Sequence, residues 1–210
     1  MSKVAWRAGN MLYPVPAVMV SCMDKEGKPN IIKIAWAGTV CSDPAMVSIS
    51  VRKSRYSHKL ISESGEFVVN LVNKRLTKAC DFCGVRSGKN LDKFKEMGLN
   101  TYVSEFMDTP SIAESPVNIY CKVVKTLELG SHDMFIGEVV GVTIEDKYLD
   151  DKNKFHLDKT NLITYSHGEY FLLGEKLGTF GYSVKKKKND KGSKKGKGVV
   201  KNKTKKNKKK

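Results

Sequence analysis

Cations and hydroxyls crowd one short stretch of this 210-residue chain: Ser50-Val51-Arg52-Lys53-Ser54-Arg55-Tyr56-Ser57-His58. An arginine fork can grip two oxygens of a phosphate, a lysine adds a point charge, and serine hydroxyls or backbone N–H groups complete such a grip. By themselves these residues fit two readings equally, a phosphate grip or a solvated strand end ahead of a helix. Two further stretches combine polarity with apolar strand-like flanks. Asn30-Ile31-Ile32-Lys33-Ile34-Ala35-Trp36-Ala37-Gly38-Thr39 offers a backbone that Gly38 would let a ligand approach closely. Leu129-Gly130-Ser131-His132-Asp133-Met134-Phe135-Ile136-Gly137-Glu138-Val139 places a histidine, the side chain that titrates nearest neutrality, at a turn.

Other chemistries find little support. Cys80-Asp81-Phe82-Cys83 has metal-ligand spacing, but no second pair follows and the four histidines, His58, His132, His156 and His167, are scattered. The pair reads as small buried residues on a helix. Gly84-Val85-Arg86-Ser87-Gly88-Lys89-Asn90 falls one residue short of a nucleotide-binding P-loop and ends in Asn where a magnesium-binding hydroxyl belongs. No Gly-x-Gly-x-x-Gly follows a strand, and no His-Glu-x-x-His, Gly-x-Ser-x-Gly or obvious carboxylate pair exists. A dinucleotide-binding Rossmann unit and a hydrolase are therefore disfavoured.

The elements that must position these residues are mostly strands. Residues 14–23 form an apolar run ended by Asp24-Lys25-Glu26-Gly27, which predicts a strand and a hairpin turn, and residues 30–37 predict its partner. Residues 46–52 alternate with period two, so Val47, Ile49 and Val51 share one face and Ser48, Ser50 and Arg52 the other. A helix over residues 56–64 stops at Gly65, and residues 66–71 make another strand. Leu76, Ala79, Cys80 and Cys83 recur at helical spacing, and a second helical piece over 91–97 ends at Gly98. Residues 117–129 and 134–144 read as a long hairpin around Gly130-Ser131-His132-Asp133, with short strands at 162–165 and 170–173. Six to eight short strands with a few helices predict a mainly β fold, a barrel or sandwich, since closure removes exposed edges.

The order and spacing of the three polar stretches, with Cys83-Gly84, Ser87-Gly88 and Asp92-Lys93-Phe94 between them, resemble the flavin reductase-like family, in particular its flavoredoxin-type members. The likeness spans residues 12–175. It implies an FMN-binding split barrel. The phosphate of FMN, with about two negative charges, would fall to Arg52, Lys53, Arg55 and Ser57, beside Ser50 and Val51. The flavin ring would lie along Ala35, Trp36, Ala37, Gly38 and Thr39, with Trp36 either against the flavin or in the core. The resemblance further implies that Asn30 binds flavin, that Ser87, Lys89 and Lys93 approach from the side, and that Lys93 stabilises the reduced ring at its N1/O2 edge. It puts His132 near the redox edge as a catalytic residue and Tyr165 beside the ring. It also implies NAD(P)H as electron donor, free flavin or a redox partner protein as acceptor, and a homodimer. A flavoredoxin-type electron carrier, reduced by a protein partner, is the alternative within redox chemistry.

Charge divides the chain in two. Residues 185–210 hold 15 lysines against the single acid Asp190, which accounts for +14 of the formal +16. The preceding body, residues 1–184, is almost neutral, so the basic balance describes a tail and not a binding face. The tail has little to bury and is expected to be disordered. Non-specific contact with nucleic acid or another anionic surface through it is a competing function. The body is rich enough in hydrophobic residues for one core. No run approaches 18 apolar residues and residues 1–7 lack the apolar stretch of a signal peptide, so a membrane-spanning or secreted protein is not expected. Five cysteines at irregular spacing add to the expectation of a reducing, cytoplasmic setting.

Overall fold

The computed structural model describes residues 1–185, and the chain divides into two units, Met1–Gly174 and Glu175–Lys210. All of the elements that bear on function belong to the first. The disorder expected of the lysine-rich tail concerns positions outside the described residues, apart from Lys185.

The first unit starts with β1 (Val15–Pro16), β2 (Val18–Met23), β3 (Pro29–Ile34), β4 (Ala37–Ser42) and β5 (Ala45–Arg52). Helix α1 (Tyr56–Ser64) and β6 (Glu66–Leu71) follow, then α2 (Thr77–Val85) and α3 (Lys93–Met97). The hairpin β7 (Thr101–Ser104) and β8 (Met107–Ile112) precedes the long hairpin β9 (Val117–Leu129) and β10 (His132–Ile144), and β11 (Ile163–Ser166) and β12 (Glu169–Leu172) complete the unit. Seven strands form an antiparallel sheet in the order β3-β2-β6-β9-β10-β5-β4. Its two edge strands, β3 and β4, are consecutive in sequence and joined only by Ala35 and Trp36. Three Cα steps span at most roughly 11 Å. The edges must therefore meet, and the sheet curls into a barrel with its seam at Trp36, whose C=O accepts the Ser50 N–H at 2.8 Å.

Alternation fills two cores. Val18, Val20, Ile32, Ile34, Ile49, Val51, Phe67, Val69 and Phe135 point into the barrel, plugged by Leu60 and Ile61 of α1. The intervening residues of β2 and β3, Met19 and Ile31, pack outward against Leu76, Ala79, Cys80, Cys83, Phe94 and Ile163. Both faces of these strands are buried, so they read as nearly continuous apolar runs. The helical stripe expected at Leu76, Ala79, Cys80 and Cys83 is this second core's helix face. All five cysteines are free thiols. Gly137 sits at a register shift of β10, where a Cβ would lie 2.7 Å from the Phe67 ring and 2.8 Å from Cys121 Cβ. The strand bends around the barrel because nothing larger fits there.

The structure corrects several expected boundaries. The run 14–23 is broken at Ala17 into β1 and β2, which join different sheets. The strand expected over 30–37 ends at Ile34, and the chain bends at Ala35 and Trp36 before β4. The β7–β8 hairpin lies between Gly98 and residue 117, where no element was expected. Buried polar pairing holds it: Asn70 Oδ1 accepts from Ile112 N–H at 2.9 Å, and Ser21 Oγ donates to Pro110 C=O at 2.6 Å. With these, twelve strands among the described residues replace the six to eight expected.

Candidate functional site

Three cavities meet at the seam of the barrel. The main one, about 350 Å³, is walled by Lys33, Ile34, Ala35 and Trp36 from the end of β3 and its bend, Ser50 and Arg52 from β5, Arg55, His132, and Tyr165 and Tyr170 from β11 and β12; α2 adds Asp81, Gly84 and Val85. A second, about 760 Å³, shares Trp36, Ser50, Arg52 and His132 with it and is bounded by Gly9, Asn10, Met11, Leu12, Val15, Leu129 and Ser131. A third, only about 90 Å³, opens past Arg55 and is lined by Asn30, Ser54, Tyr56, Ser57, Arg86, Ser87, Gly88 and Lys93.

Backbone pairing holds this arrangement. His132 is the register partner of Arg52 and Met134 that of Ser50, so the outward face of β5 and the start of β10 carry Ser50, Arg52 and His132 on one strip. Beyond Arg52 the chain turns tightly, with the Arg55 N–H donating to the Arg52 C=O at 2.9 Å, and α1 begins at Tyr56. This turn places Arg55 between the main cavity and the small one. Inside the barrel end, His58 Nε2 and Asp133 Oδ2 lie 2.7 Å apart, and Lys53 Nζ stands 3.4 Å from Asp133 Oδ1. Burial raises the Asp133 pKa, but the hydrogen bonds from His58 and Lys53 outweigh it and hold the carboxyl below its ordinary value. The cluster pins β5, β10 and α1 together beside the cavity.

The electrostatics suit an anion. Lys33, Arg52 and Arg55 line the main cavity against one carboxylate, Asp81, and none of the three makes an ion pair among the described residues. The small cavity has Arg55, Arg86 and Lys93, three serine hydroxyls and no acid. Its inner wall is built tightly: Asn30 Nδ2 donates to Ser57 Oγ at 2.8 Å, and a Cβ on Gly88 would lie 1.8 Å from Asn30 Oδ1. His132 is half-buried, with Nδ1 2.9 Å from Ser131 Oγ. Desolvation and the nearby Arg52 lower its pKa, which favours the neutral imidazole.

The expected site residues are thus partly gathered. Asn30, Ala35, Trp36, Ser50, Arg52, Arg55, Ser57, Ser87, Lys93, His132 and Tyr165 line the three neighbouring cavities. Trp36 is a half-buried wall residue and not a core tryptophan. Others lie elsewhere. Ala37 is half-buried against the barrel core, and Gly38 and Thr39 run out along the exposed edge strand β4, where no protein atom lies within 4 Å of a Gly38 Cβ. Val51 points into the barrel core. Lys53 is bonded to Glu128 at 2.7 Å and faces Asp133, which takes it away from the cavities. Lys89 is exposed and outside all three. Lys93 is neither on a solvated helix face nor reaching into the main cavity: it is 4% exposed, and its Nζ donates to the carbonyls of Ile31 at 2.6 Å and Cys83 at 2.9 Å. Cys80 and Cys83 are buried, with pKa values raised by desolvation to about 12 and about 11, and no metal-ligating cluster exists among the described residues.

Sequence reading missed Lys33, Asp81, Arg86 and Tyr170. Lys33 had a legible signal, a lysine between Ile31, Ile32 and Ile34 on a strand buried on both faces. Asp81 and Tyr170 had none, since only the packing of α2 against the β11–β12 hairpin joins them, through a 3.0 Å hydrogen bond from the Tyr170 hydroxyl.

Comparison with known proteins agrees with this geometry. An uncharacterized protein of Archaeoglobus fulgidus is 34% identical over 141 residues, covering 67% of this chain and 78% of that one. Flavoredoxin of Desulfovibrio vulgaris superposes with a TM-score of 0.81 at 31% identity, over 88% of this chain and 100% of its own. A flavoredoxin from Methanosarcina acetivorans gives 0.79 at 29% identity, again over 88% and 100%. The fold is therefore the split barrel of these proteins. Residues 10–172 match the model of the flavin reductase like domain, a span running from the wall of the second cavity to the last strand, and the chain belongs to that family.

Proposed function

We propose that this chain is an FMN-binding oxidoreductase that takes electrons from NADH or NADPH, with the cofactor lying across the small and main cavities. The observation that carries this reading is their adjacency: an acid-free, hydroxyl-rich subsite shares Arg55 with a larger cavity walled by Trp36, His132 and Tyr165. The donor set fits the cofactor's two ends. Arg55 and Arg86, with Ser54, Ser57 and Ser87, match a phosphate dianion in a subsite of only about 90 Å³. The indole of Trp36 and the ring of Tyr165 offer flat apolar surfaces for a heterocycle.

Bound FMN would supply the redox chemistry, taking up a hydride equivalent and releasing electrons to an acceptor. The protein's own residues bind, orient and set charge. Arg55 holds the anionic end. Arg52 and neutral His132 stand at the border of the second cavity, where a nicotinamide or another electron donor can reach the same face. His132, hydrogen-bonded through Nδ1, keeps its ring fixed there. Exposed Met11, Leu12 and Leu129 beside that cavity offer an apolar surface to a second copy, in keeping with a homodimer. The free thiols fit a cytoplasmic setting. No helix among the described residues is long and apolar enough to cross a membrane.

Titration of the purified protein with FMN, followed by flavin absorbance and fluorescence, tests the binding; absence of uptake refutes it. Anaerobic stopped-flow mixing of the FMN-loaded protein with NADH and with NADPH tests the donor. The likeness to flavoredoxin along that protein's whole length supports a second reading, an electron carrier reduced by a protein partner. Failure of both nucleotides to bleach the flavin selects the carrier.

A further inference from the structure

Lysine 33 is built into the main cavity and is not a loose surface side chain. It stands on the outward face of β3 next to Ile31, and its stem lies against α2 at Gly84, where a Cβ would come within 3.2 Å of Lys33 Cβ and Cδ. Its Nζ is held 3.6 Å from the centroid of the Tyr165 ring and 5.4 Å from that of Tyr170, which pack edge to face. Two tyrosine faces fix an ammonium by cation–π attraction without neutralising it. The one carboxylate of the cavity, Asp81, accepts the Tyr170 hydroxyl and makes no ion pair with Lys33.

The other cations have different positions. Lys93 directs two of its N–H groups to backbone carbonyls at the wall of the small cavity. Arg55 stands at the phosphate subsite and Arg52 at the border of the second cavity. That leaves Lys33 as the cation on the α2 side of the space between Trp36 and Tyr165. We infer that Lys33 faces the ring of the bound cofactor and strengthens binding of its reduced, negatively charged form relative to its oxidised form. The inference rests on the FMN reading above and names a residue for a role that the family resemblance implies for Lys93.

The charge balance gives the reason. Uptake of two electrons and one proton by a neutral flavin ring leaves one negative charge on its pyrimidine end. A cation within about 6 Å in a partly desolvated cavity then favours the reduced form roughly 10- to 100-fold. Burial lowers the Lys33 pKa, with Cys80 and Asp81 opposing, in line with a cation partly withdrawn from water.

The test measures the dissociation constants of oxidised FMN and of dithionite-reduced FMN, under anaerobic conditions, for the native chain, Lys33→Met, Lys33→Gln, Lys33→Arg and the exposed control Lys95→Met. Circular dichroism checks that each is folded, and the glutamine variant, of similar reach, serves if the methionine one is not. Expected is a loss of roughly 10- to 100-fold in the preference for reduced FMN in the Met and Gln variants, recovery in Lys33→Arg, and no change in Lys95→Met. A ratio of the two constants unchanged from the native chain in a folded Met or Gln variant overturns the inference while leaving the FMN site standing. A native chain that takes up neither form overturns both.

Discussion

Replacing Gly88 by alanine tests whether the small cavity is a constructed subsite. The added Cβ would lie 1.8 Å from Asn30 Oδ1 and 2.7 Å from its Cγ, where ordinary contact needs about 3.5 Å. Asn30 is 4% exposed and its carboxamide is held by the 2.8 Å hydrogen bond to Ser57, so it must retreat by roughly 1.5 Å and break that bond. Leaving buried amide and hydroxyl groups without their partner, added to overpacking, destabilises by about 2 to 4 kcal/mol. The displaced carboxamide belongs to the wall of the small cavity, so FMN affinity falls by about tenfold or more, equivalent to at least ~1.4 kcal/mol. Guanidinium unfolding and FMN titration of Gly88→Ala measure both effects. Gly38→Ala is the control, since nothing lies within 4 Å of its Cβ and its unfolding midpoint should move by less than about 0.5 kcal/mol equivalent. If Gly88→Ala matches Gly38→Ala in stability and the native chain in FMN affinity, the close approach of Gly88 to Asn30 is not a feature of the protein and the subsite argument fails.

Gly137→Ala should destabilise by about 1 to 3 kcal/mol in the same assay, because its Cβ meets the Phe67 ring and Cys121 Cβ inside the barrel; an unchanged midpoint would contradict the packing. The hydrogen bond from His156, at 2.9 Å, and two backbone N–H groups lower the Asp150 pKa to about 2 from the ordinary 3.8. The unfolded chain therefore binds this proton first: the stabilisation is complete above about pH 4 and is lost as pH falls toward 2. Asp150→Asn should flatten acid unfolding across that window, and an identical acid profile would refute the assignment. With burial raising Cys22, Cys80 and Cys121 to about 12 and Cys83 to about 11, a thiol reagent at neutral pH should label Cys41, which is partly exposed, quickly and the other four only in denaturant. Mass mapping of rapidly modified Cys80 or Cys83 would reverse this. Removal of residues 185–210 should leave FMN affinity unchanged and abolish salt-sensitive retention on immobilised RNA or DNA, as their +14 charge implies; loss of FMN binding with the tail would contradict placing the whole site in residues 1–184.

The residues themselves determined much of this protein because their pattern is local. Period-two alternation over 46–52 separated Val47, Ile49 and Val51 from Ser48, Ser50 and Arg52; the structure buries Ile49 and Val51, half-buries Val47 against them, and turns Ser50 and Arg52, though not the buried Ser48, toward the cavity. Gly65 and Gly98 end α1 and α3 with positive φ where glycine is required. The Gly130-Ser131 turn joins β9 to β10 and sets the register that pairs His132 with Leu129. What the chain alone left open depends on neighbours distant in sequence. Whether Lys53, Arg55 or Lys93 is a free cation turns on what each meets: Glu128 and Asp133 engage Lys53, two carbonyls engage Lys93, and Arg55 meets open space. Curling of the sheet brings β3 to β4, ends the expected strand at Ile34 and makes Trp36 a wall of the cavity. Packing of α2 and the β11–β12 hairpin over the outer face of β3 then converts Lys33, one polar residue in an apolar strand, into part of the site. Charge and hydrogen bonding act through space, so tertiary closure decides which of several similar side chains a ligand can reach.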